Sequence, residues 1–86
     1  MAVVRAFSVP GLKLWFYSND HEPPHFHAKR TGEWEVEVHF LEDIDRMIEL
    51  SWQLSPPAAK VLKNLAELAA EHRAALFGEW DAVHHN

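Results

Sequence analysis

His25-Phe26-His27-Ala28-Lys29-Arg30-Thr31-Gly32-Glu33-Trp34-Glu35-Val36-Glu37-Val38-His39-Phe40 is the stretch that decides the fold. Its second half alternates without a break, with Trp34, Val36, Val38 and Phe40 on one side and Glu33, Glu35, Glu37 and His39 on the other. A period of two marks a half-buried strand. Thr31-Gly32 supplies turn chemistry, so the whole stretch reads as a β-hairpin. Two loop lengths compete. A two-residue loop at Thr31-Gly32 sets His25 and His27 opposite Val38 and Val36, where unpaired imidazoles are costly. A three-residue loop, Arg30-Thr31-Gly32 with Gly32 at positive φ, sets His27 opposite Glu35, His25 opposite Glu37 and Lys29 opposite Glu33. Phe26 and Ala28 then face Val36 and Trp34 in the core. The second register is the expected one, with both imidazoles on an exposed polar face.

Upstream, Val3, Val4 and Phe7 to Val9 are β-prone, and Pro10-Gly11 turns the chain into Leu12 to Tyr17. Trp15 and Tyr17 lie opposite Leu14 and Phe16, either as a second small core or as a surface that stacks on a ligand or partner. Downstream, Leu41 to Asp45 reads as a loop, after which Ile48, Leu50, Trp52 and Leu54 alternate with Met47, Glu49, Ser51 and Gln53. Ser55-Pro56-Pro57 reads as a helix start with Ser55 as N-cap and Pro56 at the first helical position. Val61, Leu62, Leu65, Leu68, Ala69, His72 and Leu76 recur at spacings of three and four, one apolar stripe to lay over a sheet. The expected fold is a single α+β domain: an antiparallel sheet of four to five strands packed against one long C-terminal helix. Strands are expected at about 2–9, 12–18, 25–30, 33–40 and 46–52, and the helix at about 56–82.

A chain of 86 residues has room for one core. It buries little more than roughly 60% of its unfolded surface, so association with a second copy is a natural supplement. With 48% hydrophobic and 12% aromatic residues it has the material for a packed interior and is not a disordered chain. No cysteine is present, which removes disulfides and thiolate zinc sites and fits a reducing compartment. No apolar run approaches the ~18 residues that cross a bilayer, and Met1 to Arg5 does not read as a signal peptide. The expectation is a cytoplasmic protein with no membrane role. Thirteen acidic against eight basic residues, a formal charge of -5, repel phosphate backbones and argue against a nucleic-acid partner.

His21-Glu22-Pro23-Pro24-His25-Phe26-His27 is the segment whose composition folding alone does not explain. Pro23 and Pro24 fix φ twice and stiffen the approach to the strand, and His25 and His27 emerge on one side of it. Such a pair places two nitrogens near one divalent metal such as zinc, with His21 or a facing carboxylate such as Glu37 as further ligands. The same imidazoles also suit proton transfer or ligand contact beside Glu35 and Glu37, or local hydrogen bonds that clasp the loop to the sheet. His39 alternates onto the same face and extends the patch. His72, on the helix stripe, reads as a boundary histidine, and His84-His85 as a frayed end. No phosphate loop, nucleophilic triad or catalytic carboxylate pair is present in the sequence, so no catalytic residue is assigned.

With Phe16-Tyr17-Ser18, an acidic loop, Pro23-Pro24-His25-Phe26-His27-Ala28 and a late helix near Glu79-Trp80, the chain resembles the small bacterial family called domain of unknown function 4160. His25 and His27 match the signature histidines, and Pro23 and Pro24 the prolines. Members are short stand-alone proteins, often encoded beside another small protein in an arrangement like that of toxin-antitoxin pairs. The resemblance implies this fold, this signature and a protein partner from the adjacent gene. An acidic chain sits badly with an RNA-cleaving toxin, which is usually basic. The expected function is a protein-interaction module, with a metal- or histidine-dependent enzyme or ligand-binding protein as the alternative.

Overall fold

The computed structural model describes residues 1–85. Five strands, β1 (Ala2–Val3), β2 (Lys13–Phe16), β3 (Phe26–Arg30), β4 (Trp34–Val38) and β5 (Ile48–Gln53), precede two helices, α1 (Ala59–Glu71) and α2 (Arg73–His84). All neighbours in the sheet are antiparallel and follow chain order, β1-β2-β3-β4-β5. The α+β class and the antiparallel sheet therefore stand as expected from the sequence.

The hairpin forms, but its register is corrected by two residues. Phe26 pairs with Val38, His27 with Glu37, Ala28 with Val36, Lys29 with Glu35 and Arg30 with Trp34. The loop is Thr31-Gly32-Glu33, with Gly32 at φ 78 and the Glu33 N–H donating to the Arg30 carbonyl at 2.9 Å. Glu33 lies in the loop instead of opposite Lys29, and its carbonyl accepts from the Leu54 and Ser55 amides at 2.7 and 3.1 Å. A shift of two leaves every side chain on its expected face, since facing repeats with period two.

Leu14, Phe16, Phe26, Ala28, Trp34, Val36 and Val38 form the inner face, and Leu65, Ala66, Ala69, Leu76 and Trp80 close over it from the helices. Each fully buried Val, Leu or Phe among them contributes about 1.5–3 kcal/mol. The expected single long helix is instead two. His72, at φ -108 and ψ 23, leaves the helical region between them, and its ring stacks on Phe7 at 5.4 Å. The helix also starts later than the expected Ser55 cap. Ala58 is the N-cap, with no side-chain cap bond, because Ser55 and Pro56 each precede a proline and are pushed toward extended backbone.

The opposite face of the sheet is not bare. Trp15 is only 3% exposed, with His27 stacked on it at 5.4 Å, Tyr17 edge-on at 5.8 Å and the Lys29 ammonium 5.6 Å from its ring. Of the two alternatives, a second small core describes Trp15, while Tyr17 at its edge is 38% exposed. Pairing across the sheet sets Val3, Trp15, His27, Glu37 and Glu49 in one row over all five strands. At β5 the register shifts: Val36 pairs with Leu50 but Glu35 with Trp52, so Ser51 is an extra residue. This bulge turns Trp52 to the face of Glu35, away from the side expected from simple alternation. The C-terminal histidines are not frayed as expected: His84 stacks on Trp80 at 3.6 Å and bonds its carbonyl, and His85 pairs with Asp81 one turn earlier. Among the described residues no helix is long and apolar enough to cross a membrane.

Candidate functional site

Pro24 is buried and delivers the chain into β3, so His25 enters the sheet directly from the loop and His27 follows two residues later on the same face. Their expected exposure is corrected: each is 6% exposed. Side chains from distant elements cover them. Trp15 and Tyr17 lie against His27, at 5.4 and 4.7 Å between ring centroids, while Trp80 and His39 lie against His25 at 5.6 and 5.1 Å.

Burial requires these rings to have partners, and the partners are carboxylates. His27 Nε2 is 2.8 Å from Asp20 Oδ2, close enough to donate to it. His25 Nδ1 lies 2.9 Å from the Pro23 carbonyl oxygen. A carbonyl only accepts, so this nitrogen carries the proton, and in the neutral ring Nε2 is a bare lone pair. That nitrogen lies 3.4 Å from Asp20 Oδ2 and 3.8 Å from Glu37 Oε1. On the next strand, His39 Nε2 is 3.4 Å from Glu37 Oε1 and 3.4 Å from Glu49 Oε2. His27 Nδ1 and both nitrogens of His39 are buried with no hydrogen-bond partner.

These atoms fall into two groups, Asp20-His25-His27 and His25-Glu37-His39, and within each group one ligand atom per residue lies within 4.8 Å of the others. Bonds of about 2.0–2.1 Å to a tetrahedral ion put neighbouring ligand atoms roughly 3.3 Å apart. In the first group Asp20 Oδ2 stands 2.8 and 3.4 Å from the two imidazole nitrogens, and in the second Glu37 Oε1 stands 3.8 and 3.4 Å from them, on either side of that spacing. Two imidazoles and a carboxylate in each group suit a borderline divalent ion such as zinc. The bond from His25 to a main-chain oxygen is the kind of outer contact that fixes tautomer and ring orientation in metal-ligating histidines.

Of the sequence-derived candidates, the structure brings together His25, His27, Glu37 and His39. Glu35 stands at the margin, its Oε2 3.9 Å from His27 Nδ1. His21 is exposed and belongs to neither group. Asp20 and Glu49 were not among the candidates. Asp20 lies in a loop, where no periodicity assigns a side chain to a face, although it directly precedes the histidine motif. Glu49 did carry a signal, since it alternates against Ile48 and Leu50.

No curated protein and no solved structure matches the chain. A family model described as Domain of unknown function (DUF4160) matches residues 11–81, a span that holds both ligand groups and every strand but the first. The chain with this buried histidine and carboxylate cluster therefore belongs to the DUF4160 family.

Proposed function

We propose that the chain binds one divalent transition-metal ion of the zinc class through Asp20, His25 and His27. The observation that carries this reading is the state of His25. Its Nδ1 is committed to the Pro23 carbonyl, and its Nε2 faces two carboxylate oxygens at 3.4 and 3.8 Å. A lone pair directed at carboxylate oxygens is unfavourable unless a cation stands between them. Protonation of the ring and a bound metal are the two ways to supply one, and the second also engages His27 and Asp20. The buried position removes competing water from the ion, as strong coordination requires.

Thermal melts of untagged protein in zinc test the reading. An ion held only by the folded state adds about 2.7 kcal/mol at a hundredfold excess over its dissociation constant. Asp20→Asn should reduce the zinc-dependent gain, and the double change His25→Ala with His27→Ala, which removes the one residue common to both groups, should abolish it. An unchanged wild-type melt at every zinc concentration would overturn the metal reading and leave the segment as a clasp made by the Asp20–His27 bond.

A second reading, a protein-interaction module and one half of a two-gene bacterial pair of the toxin-antitoxin kind, is favoured by the edge of the sheet. Leu50, Trp52 and Leu54 on and after β5 are 48%, 40% and 81% exposed. Acidic Glu42, Asp43, Asp45 and Glu49 lie near them in sequence, with Arg46 as the one cation of that stretch, a rim that suits a basic partner over a second copy. Titration with the purified product of the adjacent gene checks it: Trp52→Lys should weaken the complex, and equal affinity for both forms would remove this surface from consideration.

A further inference from the structure

The two ligand groups share one atom. His25 appears in both, and with Nδ1 held by the Pro23 carbonyl it has a single nitrogen to offer. A pair of ions cannot both use it. The groups are therefore alternative positions for one ion, and they differ in depth. Side-chain exposure is 73% at Glu49, 34% at Glu37, 16% at His39, 17% at Asp20 and 8% at His25 and His27, so the group with Glu37 is the shallower one through that carboxylate.

Resting on the metal reading above, we propose that Glu37 and His39, with His25, form a second and shallower metal station, through which the ion passes between solvent and Asp20-His25-His27. The links run without a gap: Glu49 to His39 at 3.4 Å, His39 to Glu37 at 3.4 Å, Glu37 to His25 at 3.8 Å, His25 to Asp20 at 3.4 Å and Asp20 to His27 at 2.8 Å. Imidazole and carboxylate alternate along the whole series. An ion moving along it exchanges water for protein ligands one at a time and never meets the full dehydration penalty in one step. The station also bears on His39, whose Nε2 is buried and makes no hydrogen bond although it stands 3.4 Å from the Glu37 and Glu49 carboxylates. A buried ring in that state calls for a missing partner, and an ion at Nε2 supplies one. The acidic surface around Glu49 raises the local cation concentration at the outer end.

Cobalt(II) is the probe, because its visible spectrum reports coordination geometry. The full chain is titrated, and association and dissociation are followed by stopped flow. Wild type should take up a single ion. Asp20→Asn should leave a weaker site with a changed spectrum, and adding His39→Ala should remove that residual binding. His39→Ala alone should slow binding and release together, leaving the dissociation constant nearly unchanged, because a way in is also the way out. His39→Gln serves where the alanine variant fails to fold by circular dichroism. Absence of a residual site in Asp20→Asn, unaltered kinetics in the His39 variants, or two ions per chain in the wild type would each overturn the second station while leaving the inner site standing. A wild type that takes up no cobalt would instead remove the metal reading as a whole.

Discussion

At Gly32 the backbone stands at φ 78 with nothing within 4 Å of an added Cβ, so space is not what requires glycine there. The penalty for Gly32→Ala is then conformational alone, about 1–2 kcal/mol, measurable by urea denaturation. A change near zero would show that the Thr31-Gly32-Glu33 loop relaxes into another turn. His27 is a different case. Truncation to alanine removes the donor to Asp20 from a nearly buried place and uncovers Trp15, so a loss of about 1–3 kcal/mol is expected in metal-free denaturation. Stability unchanged within error would mean that water replaces the ring at no penalty. The facing of His25, His27, Glu37 and His39 was legible in the sequence, because alternation sorts polar from apolar side chains. Their depth was not, because it is set by Trp15 on the neighbouring strand and Trp80 in the last helix, and alternation within one strand says nothing of what covers it.

Among the elements, α1 carries the clearest stability prediction. Leu65 is fully buried against the sheet, and Leu65→Ala should cost on the order of 2–5 kcal/mol in chemical denaturation. A loss below about 0.5 kcal/mol, the usual effect of a surface substitution, would contradict the place of Leu65 in the core. The stripe that places Leu65 was readable from its spacing, yet the break at His72 was not. Spacings of three and four continue from Leu68 through His72 to Leu76 as though one helix ran through, and the ring of Phe7 that meets His72 is remote in sequence. The hairpin shows the same division. Parity follows from chemistry along the strand, whereas the register two residues away goes with contacts from the segment just after β5, whose Leu54 and Ser55 amides bond the Glu33 carbonyl. The Ser51 bulge left no mark in the alternation of Ile48, Leu50, Trp52 and Leu54.

For the molecule as a whole, small size makes a bound ion a large addition. A domain of this length gains about 4–8 °C in melting temperature per kcal/mol. Zinc at a hundredfold excess over its dissociation constant should thus raise the midpoint by about 10–20 °C, and a chelator should reverse the gain. A midpoint indifferent to both would count against any ion bound specifically to the folded chain. The net charge of -5 adds a kinetic expectation: cobalt association should slow as ionic strength rises, because counterions screen the field that draws cations in. The row from Trp15 through His27 to Glu37 also makes the protein its own optical reporter. The Trp15 indole stacks on one proposed ligand, and Trp80 lies 5.6 Å from another, so a paramagnetic ion seated between them must quench both emissions.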